Sequence, residues 1–107
     1  MHRKRRSDRN HIIYLLTSPT GKTYVGITVM EGKARIDSLN RRWMAHCRNA
    51  NTYNRDNLLS QCIREEGHEN FKREIIEVVR GKDAAHLREM QIVHSRKPSL
   101  NMIGMGF

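Results

Sequence analysis

The sequence predicts an α+β fold: a small three-stranded antiparallel sheet flanked by helices. Three patterns predict it. Two β-rich apolar runs, 12–16 and 23–27, are separated by the turn-forming residues Ser18, Pro19, Thr20 and Gly21. Later stretches around 39–47, 58–63 and 85–93 repeat apolar residues at helical spacing, and a third β-rich run at 71–79 lies between the last two of them. The resulting order, β-β-α-α-β-α, suits a short antiparallel sheet whose apolar faces are covered by helices.

Each element follows from its residues. Positions 1–10 carry His2, Arg3, Lys4, Arg5, Arg6 and Arg9 with no apolar side chain after Met1, so they read as a basic arm suited to a phosphate backbone. The domain proper is expected over 11–107. Ile12, Ile13, Tyr14, Leu15 and Leu16 form the first strand; Thr23, Tyr24, Val25 and Ile27 form the second, joined to it as a hairpin. Gly26 inside that strand signals a bulge or a close backbone approach. Residues 29–37 lack clean periodicity and read as a connection. Ser38 is the expected cap of a helix over 38–48, with Leu39, Trp43 and Cys47 on one stripe and Arg42 and His46 on the next. A second helix is expected over 56–66, burying Leu58, Leu59, Cys62 and Ile63 and stopped by Gly67. The strand at 71–79 has a mixed pattern. Asp83 is the expected cap of a third helix over 84–95, Pro98 ends it, and the tail 99–107 reads as a loop that is not polar.

Composition narrows the partners. Lys and Arg number 20 against 11 Asp and Glu, a formal charge of +9, which favours polyanions: nucleic acid first, anionic lipid second. Cys47 and Cys62 lack metal-site or redox spacing and read as reduced, packed thiols. No apolar run reaches transmembrane length, and the basic start leads into no signal-peptide core, so an intracellular protein is expected.

Three polar features stand out. Glu89 interrupts the apolar part of a stripe formed by Ala85, Ile92, Val93 and Arg96. A carboxylate there needs a basic side chain, backbone donors or a metal ion. Arg42 and His46, four residues apart, share a helical face; one can grip a phosphate and the other can exchange a proton near neutral pH. Tyr14 and Tyr24 lie in paired strands, where tyrosines also commonly pack with the hydroxyl at an edge. These patterns reach a basic α+β domain suited to nucleic acid, and stop short of catalysis.

The same residues resemble a known signature. Ile12-Ile13-Tyr14 is similar to the first motif of the GIY-YIG nuclease superfamily, and Tyr24-Val25-Gly26 to its second, after a hairpin containing Gly21-Lys22. Arg42-Trp43 followed by His46 resembles the helix with the family's essential arginine. The stretch from Gly67 to Phe71 and the strand ending Ile75-Ile76-Glu77 resemble the segment before the last helix of phage-type homing endonucleases. Glu89 stands where the family keeps its metal-binding glutamate, and Asn101 matches the asparagine after that helix. Ile12 replaces the first glycine, and the connection at 29–37 is longer than in minimal members, consistent with an insertion.

The resemblance implies a metal-dependent DNA endonuclease leaving 5′-phosphate and 3′-hydroxyl ends. Tyr14 activates water, Tyr24 orients water or phosphate, Arg42 counters charge on the phosphate, and His46 relays the proton. Glu89 holds Mg²⁺, with Mn²⁺ as a substitute; Gly26, Asn101 and Lys22 support the site. Arg3, Lys4, Arg5, Arg6 and Arg41 are the expected nucleic-acid contacts, and double-stranded DNA the expected partner. One site cuts one strand, so a double-strand break needs a homo-oligomer or successive nicks. The setting implied is the cytoplasm of a prokaryotic cell or a phage-infected host. The alternative is a non-catalytic basic module that kept the fold.

Overall fold

The computed structural model describes residues 9–104, with side chains through Asn101. The chain runs β1 (Asn10–Thr17), β2 (Thr23–Val29), α1 (Arg35–Asn51), α2 (Leu58–Glu66), β3 (Lys72–Arg80) and α3 (Lys82–Arg96), then a 3-10 helix, Ser99–Gly104. Three strands form one sheet in the order β2-β1-β3, with both pairings antiparallel. This is the expected α+β architecture. Arg3, Lys4, Arg5 and Arg6, the expected backbone-tracking arm, lie outside the described residues.

The near-continuous apolar run of β1 follows from its central place, because a strand covered on both faces has no side to leave polar. Ile12, Tyr14 and Leu16 join Leu39 and Trp43 of α1 and Leu59, Cys62 and Ile63 of α2 in one cluster. Ile13 joins Val25 and Ile92 of α3 in another. Thus α1 and α2 cover one face and α3 the other.

The mixed pattern of β3 has a specific cause. Ile13 pairs with Glu77 but Tyr14 pairs with Ile75, so Ile76 is one residue extra. Such a bulge breaks strict alternation. Ile75 and Val78 pack on the α1/α2 side, whereas Ile76 and Val79 pack on the α3 side. Glu77 also turns toward α3, where its carboxylate accepts from Arg88 Nε at 3.0 Å. The bulge therefore lies in β3, next to Tyr14, and not at Gly26, which pairs regularly with Tyr14.

Several boundaries differ from expectation. Helix α1 begins at Arg35, and its cap position, Ala34, has no side-chain cap. Ser38 does not cap it. Its hydroxyl accepts from the Glu31 amide at 2.9 Å and donates to the Glu31 carbonyl at 3.1 Å, tying the connection to the helix. The non-regular connection thus shrinks to 30–34. Asp83 does not cap α3 either: the cap position is Gly81, at φ 95°, and Asp83 falls in the first turn, where its charge suits the positive helix end. After Pro98 the chain forms a 3-10 helix over Ser99–Gly104 where a loop was expected, and it buries Leu100 in the α1/α2 cluster. Helix α2 is capped by Asn57, whose side chain accepts from the Ser60 amide at 2.8 Å, and ends at Gly67, at φ 83°. Cys47 and Cys62 are free thiols. Among the described residues, no helix is long and apolar enough to cross a membrane.

Candidate active site

Strand pairing and helix packing assemble the site. Tyr14 in β1 lies opposite Gly26 in β2, and Tyr24 sits two residues before Gly26 on the same face. Helix α1, packed over that face, contributes Arg42 and His46. The close approach signalled by Gly26 is real: a Cβ there would overlap the Cζ and hydroxyl of Tyr14 and come within 2.8 Å of Tyr24 Cε2. Both rings lean over the space a side chain would fill.

The aromatic groups form a tight triangle. Ring centroids are 6.3 Å apart for Tyr14 and Tyr24, 6.1 Å for Tyr14 and His46, and 5.5 Å for Tyr24 and His46. The Tyr14 hydroxyl lies 2.7 Å from His46 Nε2 in a buried hydrogen bond. The Arg42 guanidinium lies close enough to this hydroxyl to favour its ionised form. The direction of this bond follows the imidazole tautomer: a ring protonated at Nδ1 accepts the Tyr14 proton at Nε2.

Burial sets the charges. Desolvation, then the adjacent Tyr24, pushes Tyr14 above the usual phenol range, against the opposing pull of Arg42. Desolvation also raises Tyr24. His46 is pushed down to about 4 by burial and then by the Arg42 cation. At neutral pH the trio is uncharged beside a fixed cation. Among the described residues, Arg42 Nε is the buried side-chain nitrogen or oxygen that has no hydrogen-bond partner. That donor belongs to a side chain that lines a cavity, so it is available to a ligand there.

Glu89 on α3 completes the surroundings. Its negative charge raises both tyrosines, so it lies within electrostatic reach of each. Burial raises Glu89 itself, with His86 pulling the other way. His86 Nδ1 lies 3.7 Å from Glu89 Oε1, and among the described residues no lysine or arginine pairs with this carboxylate. Of the three partners open to it from sequence, the basic side chain the structure supplies is His86, and a lysine or arginine is not among the described residues that pair with it. Among them, too, no group of three or more His, Cys, Asp or Glu side chains gathers.

Asn101 acts on the backbone. Its Oδ1 accepts from the Val25 amide at 2.7 Å and its Nδ2 donates to the Val25 carbonyl at 2.8 Å, holding β2 between the two site positions Tyr24 and Gly26. It also lines a cavity with Glu89. Lys22 sits apart, at the hairpin turn, 3.7 Å from Glu66. Glu66 is committed to that turn: it accepts from the Thr20 amide at 3.0 Å and from the Thr20 hydroxyl at 2.8 and 2.9 Å. Desolvation opposes its ionisation, but the hydrogen bonds from Thr20, Cys62 and Ser18 together outweigh it and hold Glu66 at about 2. Arg41 neighbours Arg42 and pairs with Glu31 at 3.9 Å.

Sequence reasoning missed His11, Lys82 and His86, which line a cavity with Arg42. A signal existed: Lys82 and His86 stand four apart, the same spacing that singled out Arg42 and His46.

The arrangement offers a proton path, a guanidinium with a free donor, and a half-buried carboxylate lacking a strong cation. This set can bind an anion, take a proton from a hydroxyl or water, and hold a hard cation. A family model described as the GIY-YIG catalytic domain matches residues 10–101. No curated protein and no solved structure matches.

Proposed function

Because the chain belongs to the GIY-YIG family, with the nuclease function that membership supports in general, we propose that it is a metal-dependent DNA endonuclease leaving 5′-phosphate and 3′-hydroxyl ends. The observation that carries the mechanism is the buried bond from the Tyr14 hydroxyl to His46 Nε2.

Arg42 binds a non-bridging oxygen of the scissile phosphate through donors it does not spend internally, and counters the charge that grows there. Tyr14 takes a proton from the attacking water while its own proton passes to His46 Nε2. The relay suits a site where burial disfavours a free phenolate. His46 starts neutral, so its lone pair is available. Neutralisation of Arg42 by the phosphate also weakens one of the two effects that depress this imidazole. Tyr24, less buried, orients the water or phosphate. Gly26 leaves room for both rings, and Asn101 keeps their strand in place.

Glu89 fits a divalent cation, because its burial is uncompensated by lysine or arginine. When bound, Mg²⁺, or Mn²⁺ in its stead, supplies positive charge to the phosphate and the leaving 3′ oxygen. The partner is double-stranded DNA, and cutting both strands requires two copies or two nicks.

The test is supercoiled plasmid with Mg²⁺, an EDTA control, and the Glu89→Ala and Tyr14→Phe variants. Nicking by the wild type alone, and only with metal, is expected. Equal DNA binding by all three proteins with no cutting by any would instead favour a non-catalytic binding module.

A further inference from the structure

We infer that the cavity between Arg42 and the start of α3 receives a second phosphate, the one adjoining the phosphate held at Arg42, and that Lys82 is the residue that positions it. The inference rests on the nucleic-acid reading above and adds where the backbone goes.

The cavity measures about 330 Å³ and is lined by His11, Thr28, Arg42, Lys82 and His86 together with two apolar residues of β2, Ile27 and Val29. No carboxylate lines it. Arg42 forms one wall, so an anion there is contiguous with one bound by the guanidinium. Lys82 is exposed and, among the described residues, pairs with no carboxylate. A flexible ammonium without an internal partner is a phosphate contact of the point-charge kind. His86, one turn further along the same face, lines the same wall while its Nδ1 faces Glu89 at 3.7 Å, and Thr28 offers a hydroxyl.

The other side of Arg42 argues for direction. A cavity of about 190 Å³ there shares Thr28, Val29 and Arg42, but it also contains Glu31, bonded to Arg41. A phosphate on that side meets a carboxylate and must compete for the arginine. On the Lys82 side it meets an ammonium and no carboxylate in the lining. The strand therefore passes from Arg42 toward the start of α3.

Binding of a labelled duplex in EDTA, across 50 to 200 mM salt, separates the possibilities. Lys82→Ala is expected to weaken binding of all sequences alike and to reduce the salt slope by about 1, so that the loss is about fourfold greater at 50 than at 200 mM. Lys72→Ala, at the far end of β3, is expected to leave both unchanged. A neutral methylphosphonate walked along the strand should weaken wild-type binding at one phosphate beside the cleaved one, and should cost Lys82→Ala nothing further there. A wild type that binds and cuts DNA while Lys82→Ala keeps the full slope would overturn the subsite alone. So would methylphosphonate losses identical in both proteins. A wild type that neither binds nor cuts would overturn this inference together with the nuclease reading.

Discussion

Acidification should weaken this protein through His46, and the size of the effect can be worked out. The imidazole is buried with Tyr14 against Nε2, and it titrates at about 4 in the fold against 6.5 as a free side chain. Its folded pKa is depressed, so the unfolded chain binds the proton more readily between those values. The stability that comes from keeping His46 neutral is fully present above about pH 6.5. It is lost as pH falls toward the folded value, and reaches about 3 kcal/mol below it. Relative to pH 7, the loss is about 1 kcal/mol at pH 5.5 and about 2 kcal/mol at pH 4.5. Glu89 works with the opposite sign, because its pKa is raised in the fold and protonation relieves the burial of its charge. Urea unfolding of wild type and His46→Gln at pH 7, 5.5 and 4.5 isolates the imidazole, since Glu89 is common to both. The difference in stability between the two proteins should shrink by those amounts on acidification. A wild type and variant with parallel pH profiles would refute the buried neutral imidazole and, with it, the proton acceptor of the proposed relay.

Gly26→Ala should cost about 1–3 kcal/mol in urea unfolding, because the new Cβ displaces the Tyr14 ring. The displaced hydroxyls should also lower kcat about a hundredfold in plasmid nicking. Arg42→Ala should lower kcat in plasmid nicking by about 100-fold or more, since it removes the cation that counters charge on the phosphate. Asn101→Ala should cost about 2 kcal/mol for its two backbone bonds, with faster hydrogen exchange at the Val25 amide as the specific sign. Trp43→Ala should cost about 3–5 kcal/mol in the same unfolding assay, as Trp43 is buried against Phe71 with ring centroids 5.2 Å apart.

Features that depend on near neighbours were legible in the sequence. The hairpin follows from two β-rich runs and a Gly21 at φ 92°, and Arg42 and His46 share a helix face by spacing alone. Features set by distant contacts were not. Ser38 has the chemistry of a cap, but its hydroxyl is engaged by Glu31, so the helix starts a turn earlier. The alternation of β3 is broken by Ile76, a bulge that only pairing with β1 can reveal. The contact between Tyr14 and His46 crosses 32 positions of chain, so periodicity gives each residue a face and no partner. For Gly26 the sequence left two meanings open, and the tyrosine rings decide between them. Lys82 and His86 had readable spacing, but only the cavity beside Arg42 distinguishes them from any solvated pair.

The bond between Asn101 and Val25 has a consequence for how copies of the chain meet. β2 is an outer strand, and an outer strand offers its amides and carbonyls as a template on which another chain can extend the sheet. At Val25 that template is already filled, in a side chain's imitation of a neighbouring strand. The stretch of β2 that carries the site thus refuses edge-to-edge addition at its middle. Any extension of the sheet along this edge would have to give up both Asn101 bonds at Val25.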